Sequence, residues 1–267
     1  GGTAAAVEAG VEIVREMLAE ADLVSRTVLP ISNLTLGLQC GGSDGFSAIT
    51  ANPALGAGVD LLVRNGGTAI LSETSEIYGA EHMLLRRVVS EKVGKDLRAL
   101  LDWWTEYTAR NNTAMDNNPS PGNKAGGLTT IFEKSLGAAA KGGTTDLCAV
   151  YKYAEPITET GFVFMDSPGY DPVSVTGQVA SGANLICFTT GRGSCFGCKP
   201  VPSLKLATNS EMYKRMQGDM DINCGRILDD EIDVQQMGAE IFEHIIACAS
   251  GAPSKSEILG YGEAEIV

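Results

Sequence analysis

Histidine is scarce in this chain: His82 and His244 are the only two among 267 residues. Any chemistry that needs a histidine base therefore has two candidates. His244 falls in the apolar pattern of the last helix, where a structural role is expected. Basic residues are also outnumbered, 20 Lys and Arg against 33 Asp and Glu, for a net charge of −13. A phosphate backbone needs a basic surface, so a nucleic-acid partner is excluded. The acidic surface itself reads as a solubility feature. No uncharged apolar run reaches about 18 residues, which excludes a membrane-spanning helix. The opening GGTAAAVEAGVEIVREMLAE lacks a basic stretch and carries glutamates through its apolar stripe, so it reads as a helix and not a signal peptide. There is no repeat, no low-complexity tract and no linker long enough to force a split, and a single α/β domain over 1–267 is expected. The abrupt start and the end at Val267 suggest a piece of something longer. Seven cysteines, an odd number, fit a reducing cytoplasm better than a disulfide scaffold.

What the chain does have is 44% hydrophobic residues and 32 glycines, the make-up of a folded protein with many tight turns. Apolar residues at Val7, Val11, Val14 and Leu18 predict a helix over about 4–22. LTLGLQ (34–39), TAIL (68–71), LCAVYKY (147–153), FVFMD (162–166), NLICFTT (184–190) and SLKLAT (203–208) predict strands. Between them, 54–65, 77–93, 95–111 and 128–141 predict helices, and another covers 234–249. A polar stretch, NTAMDNNPSPGNKAGG, precedes the 128–141 helix. Strands separated by helices imply an α/β fold: a mostly parallel sheet with helices on both faces and the site at the carboxyl ends of the strands.

The placement of the unusual loops supports that last point. CGGSDG (40–45), SETSE (72–76), DSPGYD (166–171) and GRGSCFGC (191–198) each follow a predicted strand. One such loop is ordinary βα turn chemistry; four on one edge would line one cleft. ILSETSEIYGAEH (70–82) gathers Glu73, Glu76, Glu81 and His82, either as a solvated helix start or as ligands and proton-transfer groups. GRGSCFG fits neither GxGxxG nor a Walker loop, but Arg192 offers a fork to a carboxylate, or else a surface ion pair. Cys195 and Cys198 form a single CxxC without the second pair that a structural zinc site needs, and read as ordinary thiols. For Cys40, nucleophile, metal ligand and small buried residue are all open. Lys124, in the stiff loop NNPSPGNKAGG, is either a substrate contact or base, or an exposed lysine at a helix start.

Several long motifs, in order, carry a family resemblance. GLQCGGSDGFSAITANPALG, SETSEIYGAEH, NNPSPGNKAGGLTTIFEKSLGAAAKGG, FVFMDSPGYDPVSVTGQVASGANLICFTTGRGS and DMDINCG closely resemble the C-terminal part of the altronate/galactarate dehydratase family. That family includes the large subunit of sulfolactate sulfo-lyase. The resemblance runs from about Leu34 to Gly225. It implies a lyase that removes the proton α to a carboxylate and expels a β substituent, which is water from a sugar acid in the dehydratases. It also implies a divalent metal, Fe²⁺ in particular, with Mn²⁺ or Mg²⁺ as alternatives. Full-length members carry further N-terminal sequence, so an N-terminal region or small subunit is the expected partner, and a homo-oligomer is compatible.

On this reading the expected metal ligands are Cys40, Glu73, Glu76 and His82, and the expected catalytic groups His82, Glu73 and Lys124. Ser43, Asp44, Asn123, Thr189, Thr190 and Arg192 are expected to hold the substrate. Sulfolactate cleavage is the near alternative, because expelling sulfite uses the same enediolate logic. A non-catalytic acid-binding domain that completes a partner's site is the distant one.

Overall fold

The computed structural model describes residues 1–115 and 118–262. It divides into two compact units, Gly1–Pro30 and a second that begins at Ile31. The first holds helix α1 (Thr3–Ala21), close to the predicted bounds, with Val7, Val11, Val14 and Leu18 exposed.

The second unit is built on seven strands. They are β1 (Thr35–Cys40), β2 (Thr68–Leu71), β3 (Leu147–Tyr151), β4 (Gly161–Met165), β5 (Leu185–Thr190), β6 (Ser203–Ala207) and β7 (Ile222–Asn223). The sheet order is β3-β4-β2-β1-β5-β6-β7, and every strand pairing is parallel. The helices that follow α1 are α2 (Ala51–Arg64), α3 (Glu81–Leu85), α4 (Glu91–Arg110), α5 (Pro121–Ala125), α6 (Ile131–Ala140), α7 (Asp171–Ala180), α8 (Ser210–Arg215), α9 (Val234–Ala249) and α10 (Lys255–Leu259). None among the described residues is long and apolar enough to cross a membrane.

A parallel sheet covered on both sides needs apolar residues on both faces of its strands. Leu36, Leu38, Leu71, Phe164, Leu204 and Leu206 enter one core with Leu55 and Val59 of α2, Leu97 of α4 and Ile241 of α9. Their neighbours Ile70, Val163, Met165, Ile186 and Phe188 enter the opposite core with Val175 of α7. The period-two alternation along each strand thus divides the apolar residues between two layers.

The helix predicted over 77–93 is broken in the structure, and those predicted from 54 and 95 start earlier, at Ala51 and Glu91. The 77–93 segment yields only the five residues of α3, because the chain then turns to pair with the start of β3. Leu147 donates its N–H to the Arg87 carbonyl at 2.7 Å, and Val89 N–H donates to the Leu147 carbonyl at 3.1 Å. Ser90 then caps α4 by accepting from Val93 N–H. The 128–141 helix starts at Ile131, with Thr130 accepting from Glu133 N–H. In the polar stretch before it, Ser120 and Pro121 start the short α5; Asp116 and Asn117 of that stretch lie outside the described residues.

Candidate active site

β1 lies in the middle of the sheet, so the loops that leave its carboxyl end and those of β2, β4 and β5 converge on one edge. All four predicted loops line one cavity of about 470 Å³: Cys40 to Ser43 after β1, Glu73, Ser75 and Glu76 after β2, Gly169 to Asp171 after β4, and Arg192 after β5. Trp104 of α4, Asn118, Ser120, Asn123 of α5 and Lys134 of α6 complete the wall.

Glu73 sits two residues past β2 with φ of 69°, the left-handed region. A non-glycine residue there costs on the order of 1–3 kcal/mol and persists only when its surroundings hold it. Here a serine network does so. Glu73 N–H donates to Ser167 Oγ at 3.0 Å and Thr74 N–H to the Ser167 carbonyl at 3.0 Å. Ser167 Oγ donates in turn to Ser174 Oγ at 2.9 Å, which lies 2.7 Å from Ser72 Oγ. The reversal brings Glu73 and Glu76 to the same place as Cys40: one donor atom from each lies within 4.8 Å of the others, and all three residues are buried.

Two lysines close this cluster from behind. Lys134 and Lys141 lie two turns apart on and at the end of α6, which puts them on one side. Lys134 Nζ forms an ion pair with Glu76 Oε1, which also accepts from Asn118 Nδ2 at 3.0 Å. Lys141 Nζ donates to Cys40 Sγ at 3.0 Å, and Cys40 Sγ donates to Glu76 Oε2 at 3.2 Å.

These contacts set the protonation states. Burial, reinforced by the negative Glu76, pushes the Cys40 thiol up to about 12. Burial would also raise Glu76, but Lys134 and Lys141 outweigh it and hold that carboxylate down at about 2. For Glu73 the same lysines are outweighed: burial and the Glu76 charge push it well above the usual carboxylate range. For both lysines burial works against the charge, and the acidic neighbours more than restore it. Without a cation, burial thus favours the neutral forms of Cys40 and Glu73, while the lysines favour the ionised form of Glu76.

The same donors fit a divalent cation. Glu73 Oε2 is buried and has no hydrogen-bond partner among the described residues. Glu76 gives one oxygen to Lys134 and Asn118 and turns the other towards Cys40. One thiolate and two carboxylate oxygens would suit Fe²⁺ or Mn²⁺ better than a soft ion, and the lysines behind them would then be the outer partners that orient the ligands.

The remaining expected residues divide. Asn123 is buried in the cavity wall, where its Oδ1 accepts from Arg192 Nη2 at 3.3 Å, and Ser43 is buried beside Cys40. Asp44, Thr189 and Thr190 are buried but do not line the cavity, because their polar atoms are used in the scaffold. Asp44 accepts from Ser47 Oγ at 2.9 Å and from Thr208 Oγ1 at 3.0 Å, tying the β1 loop to the end of β6. Its carboxylate packs so closely on Gly191 that a Cβ there would collide with it. Thr189 donates to Asn52 Oδ1 at 2.6 Å, and Thr190 Oγ1 accepts from Gly193 N–H at 3.1 Å.

His82 and Lys124 are not brought to the cluster. Ile77 and Ala80 are fully buried, and the chain they anchor leaves His82 exposed on α3. Lys124 is next to Asn123 on α5, so the helical turn that buries Asn123 directs Lys124 out towards a second cavity, beside Tyr78 and Phe132. His244 is exposed on α9, its Nδ1 2.9 Å from the Glu240 carbonyl. Cys195 and Cys198 are free thiols, as expected. The sequence reading passed over Lys134, Lys141, Asn118 and Asp171. A signal for the lysines was present: IFEKSLGAAAK carries both at a spacing of seven in an otherwise small and apolar helix.

Comparison with known proteins places this chain in a family. The model for the C-terminal region of D-galactarate/altronate dehydratases matches residues 31–267. The galactarate dehydratase (L-threo-forming) of Escherichia coli strain K12 is 42% identical over 245 residues, 92% of this chain and 47% of that protein. The altronate dehydratase of Bacillus subtilis strain 168 is 39% identical over 245 residues, 92% of this chain and 49% of that protein. The (2R)-sulfolactate sulfo-lyase subunit beta of Chromohalobacter salexigens is 33% identical over 252 residues, 93% of this chain and 65% of that subunit. The chain thus spans about half the length of these two dehydratases. On the strength of the matched model and these identities, it belongs to the D-galactarate/altronate dehydratase C-terminal family.

Proposed function

We propose that this chain carries the catalytic centre of a metal-assisted lyase that eliminates water from a hydroxy carboxylic acid, a sugar acid such as galactarate or altronate. The observation that carries the reading is the buried meeting of Cys40, Glu73 and Glu76 on the wall of a polar cavity, with an unpartnered carboxylate oxygen among them. The proton α to a carboxylate is very weakly acidic, so its removal needs the resulting enediolate to be stabilised by positive charge. A divalent cation held by Cys40, Glu73 and Glu76 would supply that charge and polarise the leaving hydroxyl. Lys134 and Lys141 balance the ligand charge. Arg192, braced by Asn123, presents a planar fork to a substrate carboxylate. Ser43, Asn118 and Ser120 offer hydrogen bonds to hydroxyls along the same wall. Seven free thiols, one of them a ligand, fit a reducing cytoplasm.

Two measurements test the proposal. Equilibrium dialysis against Mn²⁺ or Fe²⁺ should give one ion per chain, lost in Glu73→Gln. The native full chain should consume galactarate or altronate. Release of sulfite from sulfolactate instead would favour the sulfo-lyase reading, to which the 33% identity of the sulfo-lyase subunit lends support. Metal binding without turnover of any of the three acids would reject the lyase reading and leave a domain that completes a partner's site.

A further inference from the structure

Elimination needs a group that takes a proton as well as a cation, and the cavity wall leaves few. Cys40, Glu73 and Glu76 are the ligand set, and Lys134 is committed to Glu76. Arg192 is the fork braced by Asn123 for a substrate carboxylate, and Tyr170 is 52% exposed at the rim. Among the described residues what remains is Asp171, the first residue of α7, which the DSPGYD loop carries to the cavity from the end of β4.

Three features of its setting point to proton transfer. The closeness of its Oδ2 to the end of β1 depends on Gly41, where any Cβ would collide with that oxygen. Its Oδ1 accepts a hydrogen bond from Gln39 Nε2 at 2.8 Å, while Gln39 Oε1 has no partner among the described residues. A carboxamide is the neutral side chain that can serve both forms of a carboxyl, donating through its NH₂ to the carboxylate and accepting through its carbonyl from the acid. Burial, opposed by the Gln39 hydrogen bond and reinforced by the Glu76 charge, pushes the Asp171 carboxyl up to about 6, with Lys134 and Lys141 pulling the other way. Glu73, also on this wall, feels the Asp171 charge in turn. A base with such a value is ionised at neutral pH yet basic enough to help.

Resting on the lyase reading above, we propose that Asp171 is the catalytic base, oriented by Gln39, that takes the α proton of the substrate. The C–H electron pair is held in the enediolate and then forms the new C=C bond as the β C–O bond breaks. The protonated Asp171 returns its proton to the departing hydroxyl, which leaves as water, and the carboxylate is restored. No oxidant, reductant or second substrate is consumed.

The test uses the native full chain loaded with Mn²⁺, with Asp171→Asn and Asp171→Glu compared against wild type. Circular dichroism and thermal melting establish that each folds, and Asp171→Glu keeps the proposal testable where the amide does not. Asp171→Asn should lower turnover of the accepted acid at least 100-fold and leave Mn²⁺ affinity within 3-fold of wild type. Its substrate dissociation constant should change less than turnover does. Asp171→Glu should recover part of the lost rate, since a carboxylate is restored on a longer stem. Turnover in Asp171→Asn within 3-fold of wild type overturns this assignment and leaves the lyase reading standing. So does a parallel loss of Mn²⁺ affinity of 10-fold or more, which would make Asp171 part of the metal site. A wild-type chain that transforms none of the acids removes the lyase reading and this assignment with it.

Discussion

Lys134 and Glu76 face each other where both side chains are almost fully buried, 5% and 6% exposed. Charges taken out of water in this way depend on each other, and removing one leaves the other uncompensated. Lys134→Met should therefore cost about 3–5 kcal/mol in urea denaturation. Adding Glu76→Gln to it should recover a good part of that loss, because no charge is then stranded; a double variant as unstable as the single one would show that packing dominates. Glu73 behaves in the opposite sense. Its folded pKa lies above its unfolded value, so it stabilises the fold fully below the usual carboxylate range and loses that contribution as pH rises through the raised value. Glu73→Gln mimics the protonated form and is expected to melt at or above the wild-type temperature at pH 8, while losing Mn²⁺. A markedly lower melting temperature at pH 8 would mean that Glu73 is ionised in the fold.

At the scale of elements, α6 sets the charge of the site, since it delivers both buried lysines. Its start depends on Thr130, whose side chain accepts from Glu133 N–H. Thr130→Ala should cost about 1 kcal/mol of global stability by urea denaturation. The strands were readable from sequence to within a residue or two, because a strand buried on both faces is a short apolar run bounded by turn residues. The helices were readable where an apolar stripe repeats, as in α1, α4 and α9. The break after α3 was not readable, because it is imposed by main-chain pairing with Leu147, about sixty positions further along. The two-residue β7 was missed as well; a strand that short has no pattern of its own.

At the scale of the whole molecule, binding a cation should couple to both pH and stability. The ligand set must lose a proton from Cys40, pushed up to about 12, and another from Glu73, also raised. Metal affinity should thus climb with pH, by up to about 100-fold per unit while both protons are still to be released. At 100 times its dissociation constant the ion should add about 2.7 kcal/mol of stability. Thermal melting with and without Mn²⁺ across pH 6–8.5 reads both effects. A pH-independent affinity would indicate that the ion does not use these two ligands.

The sequence by itself determined the layered α/β architecture, the edge on which the cavity lies and the four loops that line it. Those are properties of local pattern: apolar runs make strands, and loops at their carboxyl ends share one side of a parallel sheet. It also named Cys40, Glu73 and Glu76 as metal candidates together with His82; Cys40 ends β1, and Glu73 and Glu76 stand two and five residues past β2. Only the tertiary structure decided what surrounds them. Whether His82 or Lys134 faces Glu76 depends on which way the chain turns after Ile77 and on how α6 packs, and nothing at 70–82 records either. Asp44 and Asp171 look equally suitable in a string of letters. Burial directs one into a web of scaffold hydrogen bonds and the other, beside Gln39, into the cavity.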